Sequence, residues 1–310
     1  MRVGIDLGGT NIAIGLVNDE GQIVLKKSIP TRGERPWQEV VRDMANLVLE
    51  LTEEAGLSVS DLELIGIGSP GTPAKDTGMI LFSNNLNWHN VPLRDAMEKL
   101  IPVPVKIDND ANVAALGETL FGAAKGAKDA ILVTLGTGVG GGIILDGKVY
   151  DGINNAGAEV GHMVIVSGGI PCNCGRLGCW EVYASATALI RMGNAAAAAH
   201  PESILAQKRK RKGGLNGLQI FKAADENDPV AIDVIDKYIF YVSEGVINLV
   251  NIFQPEVVML GGGISAQGER LLRPIRQHLM RYVYCKEVNG PRLTCASLGN
   301  DAGIIGAAFL

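Results

Sequence analysis

The sequence predicts an α/β fold made of two similar domains. Segments typical of strands alternate with segments typical of helices along the 310 residues, a pattern that favours mixed sheets covered by helices. A unit of strand, glycine turn, strand, turn and strand at residues 2–28 recurs at residues 130–150. Such a repeat indicates two domains built on related sheets, although two glycine-rich hairpins can also resemble each other by chance.

Composition places the chain among ordinary globular proteins, since 47% of its residues are hydrophobic and 20% are charged. With 33 acidic and 28 basic residues the net charge is −5, which argues against the basic face that nucleic-acid binding requires. Polar residues or glycines interrupt every apolar run before it reaches the length of a membrane span. The first strand begins at residue 2 and leaves no room for a signal peptide. We therefore expect a cytoplasmic protein without nucleic-acid or membrane partners.

In the first half of the chain, strands are predicted over residues 2–6, 12–17 and 22–28. Apolar residues at helical spacing predict a helix over Trp37–Glu54. A buried strand follows at residues 64–68, a short helix at 91–100, and a strand at 103–107. Residues 108–110 then cap a helix over residues 111–120.

In the second half, a strand over residues 130–135 leads into a glycine-rich turn at 136–142 and short strands at 143–145 and 148–150. A long helix is predicted from Asp228 through Val250, with Pro229 at its first position. A strand at residues 257–260 and a small-residue helix at 301–310 complete the pattern. The basic run at residues 208–212 is interpreted as a solvated loop.

Three glycine-rich turns each follow a predicted strand, at residues 8–9, 136–142 and 261–263. Glycine lets the backbone approach a ligand closely, and successive N–H groups in such turns bind anions. Ordinary hairpin turns also use glycine, but three such turns in both halves favour a nucleoside triphosphate held between two domains. The run from residue 136 matches the dinucleotide fingerprint only loosely, because a strand follows it where that fingerprint requires a helix.

His162, Cys172, Cys174 and Cys179 form a second constellation. Three thiolates and an imidazole favour a closed, structural Zn²⁺ site, while buried free cysteines are the alternative. The odd total of five cysteines argues against a secreted disulfide framework. Cys285 and Cys295 lack such neighbours and are expected to be ordinary buried thiols.

Acidic residues form the third constellation. Asp110 follows a strand and opens a helix, where a carboxylate can face a ligand or simply cap the helix. Glu159 and Glu181 flank the cysteine cluster, where a metal would order the loops that carry them. Solvated surface glutamates are the alternative for this pair.

These residues together resemble the ROK family of sugar kinases and sugar-responsive repressors, and within it most closely the bacterial ATP-dependent glucokinases. The resemblance rests on residues 6–10, Asn109-Asp110, the segment 159–162, the Cys-x-Cys-Gly-x-x-Gly-Cys-x-Glu knuckle ending at Glu181, and residues 301–306. It implies an actin-like ATPase (ribonuclease H-like, duplicated) fold with two domains around a cleft. We expect a smaller domain at residues 1–120 and a larger one at 121–297, with the helix at 298–310 packing back on the first.

The resemblance also implies roles for individual residues. Asp110 is the base that accepts the proton of the reacting hydroxyl, and Asp6 holds Mg²⁺ through water. The other sugar contacts are implied to be Gly71, Asn85, Asn109, Glu159, His162 and Glu181. ATP is implied to bind at Gly8, Gly9, Thr10, Thr137, Gly138, Gly140, Gly262 and Gly263. The structural Zn²⁺ ligands are His162, Cys172, Cys174 and Cys179, so that His162 serves both the metal and the sugar.

The implied reaction is transfer of the ATP γ-phosphoryl group to the 6-OH of glucose. Kinases for N-acetylmannosamine, allose or fructose remain alternatives, since their hydroxyl-reading residues are shared. A sugar-sensing regulator is disfavoured, because a repressor carries a DNA-binding segment before the first strand, which begins here at residue 2. We expect a homodimer, or a tetramer.

Overall fold

The computed structural model describes residues 1–210 and 213–310; Arg211 and Lys212 of the basic run lie outside the described residues. Its strands are β1 (Arg2–Leu7), β2 (Asn11–Val17), β3 (Ile23–Pro30), β4 (Leu64–Ser69), β5 (Thr72–Ala74), β6 (Met79–Ser83), β7 (Trp88–Val91), β8 (Val105–Asn109), β9 (Ala130–Leu135), β10 (Val139–Leu145), β11 (Lys148–Tyr150), β12 (Val257–Gly261) and β13 (Arg292–Cys295). Its helices are α1 (Trp37–Glu54), α2 (Leu93–Leu100), α3 (Asp110–Leu120), α4 (Glu181–Ala184), α5 (Ala186–Ala199), α6 (Ile204–Arg209), α7 (Gly217–Asp225), α8 (Pro229–Phe253), α9 (Glu269–Tyr282) and α10 (Ala302–Ala308).

Two five-stranded sheets share one strand order. The first runs β3-β2-β1-β4-β8 and the second runs β11-β10-β9-β12-β13, so each begins with a three-stranded meander followed by two later strands. In the first sheet β1 is antiparallel to β2 and parallel to β4. This correspondence confirms the duplication predicted from the repeated glycine-rich unit. A third sheet, β5-β6-β7, was not predicted.

The chain forms two compact units. The first contains residues 1–132, 141–158 and 296–310, and the second contains residues 133–140 and 159–295. The units interleave along the sequence, and the continuous domains predicted with boundaries at residues 120 and 297 stay a prediction. No helix among the described residues has both the length and the apolar content to cross a bilayer.

Within the first unit, α10 packs directly against the sheet through glycines. A Cβ on Gly4 would lie 1.8 Å from the carbonyl oxygen of Ile304, and one on Gly66 would lie 1.7 Å from that of Ala307. Because any side chain at these strand positions would overlap the helix backbone, the two glycines set the distance between α10 and the sheet.

Within the second unit, α8 is the longest helix and begins as predicted, at Pro229. The buried Asp228 carboxylate caps it, accepting hydrogen bonds from the amides of Val230 (3.0 Å) and Leu205 (2.6 Å). One buried carboxylate thereby satisfies N–H groups at the starts of both α6 and α8.

Four local predictions were wrong. The basic run at residues 208–212 is predicted as a solvated loop, but Lys208 and Arg209 end α6, and the buried Lys208 side chain forms an ion pair with Glu226. The turn predicted at residues 136–142 ends at 138, because β10 already begins at Val139. Gly142 is a strand residue whose Cβ would lie 2.5 Å from the carbonyl oxygen of Ala111, so it permits packing on α3. The helix predicted from Val91 begins at Leu93, after the N-cap residue Pro92. Cys285 and Cys295 are partly exposed, not buried.

Candidate functional site

Asn109 and Asp110 stand at the junction between β8 and α3. Asn109 is the N-cap of α3, and its Oδ1 accepts hydrogen bonds from the amides of Ala111 (2.9 Å) and Asn112 (3.4 Å). Its Nδ2 donates to the carbonyl oxygen of Gly71 at 3.1 Å. The predicted capping role thus falls to Asn109, and the structure brings together two predicted sugar contacts, Asn109 and Gly71.

Asp110 is half-buried and uses Oδ1 to accept a hydrogen bond from the Ala111 amide at 2.8 Å. Desolvation raises the pKa of Asp110, while the Ala111 amide opposes this by lowering it. A carboxylate with a raised pKa is a stronger base than one in water. This position can therefore accept a proton from a neighbouring hydroxyl.

Asp6 lies near the end of β1 in the same unit. Burial, followed by the negative charge of Asp110, raises the pKa of Asp6 to about 6, and Lys26 opposes the rise. The negative charge of Asp110 therefore disfavours the ionised form of Asp6. A Cβ on Gly303, at the start of α10, would lie 3.0 Å from Cγ of Asp6, so Gly303 leaves the space that the carboxyl group occupies.

Thr31 supports the first glycine turn, at residues 8–9, through two hydrogen bonds. Its Oγ1 donates to the carbonyl oxygen of Gly8 (2.6 Å), and its amide donates to that of Thr10 (2.8 Å). A Cβ on Gly9 would lie 3.3 Å from Cβ of Asn85, so the structure brings the predicted phosphate turn and this predicted sugar contact together. Gly9, Thr10 and Asn85 are exposed and open to a ligand.

Gly71 has a φ of +100°, and a Cβ there would lie 2.1 Å from the carbonyl oxygen of Phe82. Both the left-handed backbone and the close approach of β6 therefore require glycine. Its carbonyl oxygen is thereby fixed as the acceptor for Asn109.

In the second unit, the turn between β9 and β10 contacts the start of α4. The amide of Val139 donates to Oε2 of Glu181 at 3.2 Å, and the same oxygen lies 2.1 Å from where a Cβ on Gly138 would be. The carbonyl oxygen of Thr137, an exposed residue, accepts a hydrogen bond from the Thr187 hydroxyl. Gly140 lies within β10, outside the turn itself.

The third glycine turn follows β12. Gly262 has a φ of +80°, and a Cβ there would lie 2.6 Å from the carbonyl oxygen of Leu135 at the end of β9. It therefore brings the third turn against the strand that leads into the second. Gly263 is exposed, and a Cβ there would meet nothing within 4 Å.

The four predicted metal ligands converge. Their ligand atoms all lie within 4.8 Å of one another. Sγ of Cys174 is 3.6 Å from Sγ of Cys179, and Sγ of Cys172 is 3.6 Å from Nδ1 of His162. Tetrahedral Zn²⁺ with Zn–S of ~2.3 Å and Zn–N of ~2.0–2.1 Å requires ~3.8 Å between sulfurs and ~3.6 Å between sulfur and nitrogen. The donor set and its spacing both fit Zn²⁺, with Nδ1 as the histidine ligand.

The cluster is anchored by Trp180, which directly follows Cys179. Trp180 is fully buried, and its Nε1 donates to the carbonyl oxygen of Tyr241 in α8 at 2.8 Å. A Cβ on Gly245 would lie 1.9 Å from the Trp180 ring, so α8 makes room for the indole. Glu181 is thereby held by the cysteine loop on one side and by α8 on the other. Glu159 is exposed and immediately precedes the short 3₁₀ turn that carries His162.

Sequence reasoning missed Lys75 and Trp180, and it gave Asp108 only a capping role. Asp108 immediately precedes Asn109 in the chain. Its side chain is 1% exposed and forms an ion pair with Lys75 at 2.5 Å. A lone lysine in a loop gives no sequence signal. The adjacency of a large aromatic residue, Trp180, to the metal-ligand candidate Cys179 was a usable sign of an anchor.

Comparisons with known proteins agree with this arrangement. The ROK family matches the chain over residues 2–310. The glucokinase of Halalkalibacterium halodurans is 41% identical over 309 residues, covering 99% of this chain and 94% of the relative. The xylose repressor of Bacillus subtilis is 33% identical, and the match covers 99% of this chain but 76% of the repressor.

A solved structure gives the same result. The crystal structure of a ROK family glucokinase from Streptomyces griseus in complex with glucose and AMPPNP matches with a TM-score of 0.83 and 37% identity, covering 99% of this chain and 98% of that one. The fold is accordingly the actin-like ATPase fold, as the sequence motifs implied. From its full-length match, its duplicated sheets and its Cys/His cluster, the chain belongs to the ROK family.

Proposed function

We propose that the protein is an ATP-dependent glucokinase that transfers the γ-phosphoryl group to the 6-OH of glucose. The observation that carries the proposal is Asp110, which combines a raised pKa with a fixed place beside the capping residue Asn109. The glucokinase of Halalkalibacterium halodurans, 41% identical over nearly the whole chain, supports glucose as the acceptor. The Streptomyces griseus glucokinase, solved with glucose and AMPPNP, supports an ATP-like donor.

In this proposal Asp110 accepts the proton of the attacking hydroxyl. Phosphoryl transfer demands in-line positioning and stabilisation of charge on the phosphate oxygens, with little covalent chemistry from the protein. A positioned base contributes typically 10²–10⁴ in rate. Asn109, Gly71 and Asn85 from the first unit orient the sugar. From the second unit we assign the same task to Glu159, His162 and Glu181.

The glycine turns bind ATP in this proposal. Exposed backbone at Gly9, Thr10 and Thr137 offers N–H groups to phosphate oxygens. We assign Gly8, Gly138 and Gly140 to the same site, where glycine lets the phosphates approach the backbone closely. Gly262 and Gly263 contact the nucleoside. Asp6 would hold Mg²⁺ through water, since a carboxylate is a hard oxygen ligand of the kind Mg²⁺ prefers. When bound, Mg²⁺ neutralises charge on the transferring phosphate.

We assign Zn²⁺ a structural role at His162, Cys172, Cys174 and Cys179. Four protein ligands close the coordination sphere, so no position is left for a catalytic water. Nδ1 of His162 faces the sulfurs, which leaves Nε2 for a sugar hydroxyl.

We also infer a homodimer. Large apolar side chains are exposed on α8 and α9, among them Phe240 (43%), Ile252 (66%) and Met280 (75%). An apolar surface of this kind supports self-association. Light scattering at micromolar concentration tests the inference, and a monomeric mass would contradict it.

The substrate assignment is tested by a coupled assay of kcat/KM across glucose, N-acetylmannosamine, allose and fructose with ATP. We expect the highest value for glucose. A higher value for another hexose would overturn glucose but retain a kinase. If the pure, zinc-loaded protein phosphorylates none of them, the kinase proposal itself is wrong.

A further inference from the structure

We propose that Lys75 is a positioning residue for the catalytic junction, holding Asn109 and Asp110 through a buried ion pair with Asp108. The inference rests on the proposed sugar kinase function and concerns a residue outside the sugar and ATP contacts proposed above. Three observations within the first unit carry it: the charge on Asp108, the anchoring of the Lys75 backbone, and a second carboxylate at Asp151.

The Asp108 carboxylate organises the start of α3. Its Oδ1 accepts hydrogen bonds from the Asn109 amide at 2.7 Å and from Nδ2 of Asn112 at 2.9 Å. Its Oδ2 lies 2.5 Å from Nζ of Lys75. With 1% of its side chain exposed, Asp108 has almost no water to stabilise its charge, so Lys75 is its counter-ion.

The Lys75 backbone is itself fixed. Arg94 of α2 donates to the carbonyl oxygens of Lys75 and of Asp76, the latter at 3.1 Å. Its Nε donates to the carbonyl oxygen of Val105 in β8 at 3.1 Å. Arg94 thereby joins the loop that carries Lys75 to the strand that carries Asp108, so the ammonium group is presented from a rigid base.

Lys75 also forms an ion pair with Asp151, whose side chain is 21% exposed. Asp151 begins the segment that continues to Glu159, and its carbonyl oxygen accepts a hydrogen bond from the Gly157 amide at 2.7 Å. Lys75 thus joins the loop that follows β5, the β8–α3 junction that carries Asn109 and Asp110, and the segment that begins at Asp151.

The variant Lys75→Met removes the counter-ion and leaves the Asp108 carboxylate buried without one. The Asp108 side chain must then turn toward water, and this movement disturbs its hydrogen bond to the Asn109 amide. A displacement of about 1 Å in a catalytic group can cost on the order of 10²-fold in rate. We expect kcat with glucose to fall about 100-fold, the KM for glucose to rise, and the Kd of ATP to stay within twofold.

The control is Lys27→Met. Lys27 also bridges two carboxylates, Glu50 at 3.4 Å and Glu54 at 2.9 Å, but on the exposed surface of β3 and α1. We expect it to leave kcat and KM within twofold of the unsubstituted protein. Lys75→Arg, which keeps the charge, should restore kcat to within tenfold, a rescue that a loss of folded protein would not produce.

Circular dichroism at the assay temperature gives the folded fraction of each variant. If Lys75→Met is not folded, Lys75→Gln replaces it under the same kcat criterion, since its amide can still donate to Asp108. A folded Lys75→Met or Lys75→Gln protein with kcat and KM within threefold of the parent would overturn the proposal while leaving the kinase function intact. Failure of the unsubstituted protein to phosphorylate any hexose would instead refute the proposed function.

Discussion

The carboxylate of Glu181 lies over the α-carbon of Gly138, so closely that a Cβ at position 138 would be 2.1 Å from Oε2. The same oxygen accepts the Val139 amide. The side chain that ends the cysteine loop therefore also supports the turn that we propose binds phosphate. One carboxylate links the two proposed ligand regions of the second unit.

Gly138→Ala should therefore destabilise the protein. The added methyl group must displace Glu181 and break its bond to Val139, and overpacking of this kind costs typically ~1–3 kcal/mol in the free energy of unfolding. The control is Gly136→Ala, where a Cβ would meet nothing within 4 Å. Urea unfolding of both variants without ligands measures this difference. Equal free energies of unfolding would show that the Glu181 side chain can move aside without loss of stability.

Asp110→Asn should lower kcat by about 10²–10⁴-fold, the usual contribution of a positioned base. The amide is isosteric, and its oxygen can still accept the Ala111 amide, so folding and the Kd values of glucose and ATP should change only a few-fold. Asp95→Asn, an exposed acid in α2, is the control. Activity within tenfold of the parent would remove Asp110 from the mechanism.

Cys174→Ser should abolish zinc binding, glucose binding and glucose phosphorylation while nucleotide binding is largely kept. In the role we propose, zinc orders the loop that ends at Glu181 and begins next to Glu159, so metal loss should scatter several of the proposed sugar contacts together. The partly exposed Cys285, outside the cluster, provides the control Cys285→Ser. Metal analysis should give about one equivalent per chain for parent and control. Full glucose affinity in a zinc-free variant would refute the structural role.

Asp6→Asn should stabilise the protein at neutral pH in buffer without Mg²⁺. The pKa of Asp6 is raised from 3.8 to about 6, so between these values the folded state binds more protons than the unfolded state. The free energy of unfolding of the parent therefore falls as pH rises through this window. The variant does not lose stability in this window. Its free energy of unfolding should therefore exceed that of the parent by roughly 1–3 kcal/mol above pH ~7 and equal it below pH ~4.

Urea unfolding across pH ~2–8, a range that includes the window of each group, tests this sign. Asp61→Asn supplies a control of opposite direction, because hydrogen bonds from Ser58 lower the pKa of Asp61. That variant should be less stable than the parent at neutral pH, and the difference should vanish as the pH falls through the pKa of folded Asp61. An Asp6→Asn protein whose stability parallels the parent at every pH would contradict the raised pKa.

The sequence predicted features that local patterns encode. Helical periodicity gave the bounds of α1, and Asp228-Pro229 marked the start of α8. The repeated glycine unit predicted the duplication, and the spacing of the cysteines identified a cluster that the structure brings together. In each case the signal lies within a short stretch of chain.

Features set by contacts between distant segments could not be read in this way. Gly142 resembles a turn residue in sequence but is a strand residue that packs on α3. The strands of the β5-β6-β7 sheet are short. Pro73 lies within β5, and Asn84 and Asn85 lie between β6 and β7; such residues usually indicate loops. The role we propose for Lys75 depends on its ion pair with Asp108, which is 33 residues away in sequence and adjacent only after folding.

The packing of α10 on Gly4 and Gly66 has a consequence for the order of folding during synthesis. The residues of the second unit, 133–140 and 159–295, all leave the ribosome before residues 302–308 do. The face of β1 and β4 that packs on α10 therefore stays uncovered until residues 302–308 have been translated. Contacts between residues so far apart form slowly, because a long loop must close first. The nascent chain thus spends most of its synthesis with its earliest strands exposed to chaperones and to other chains.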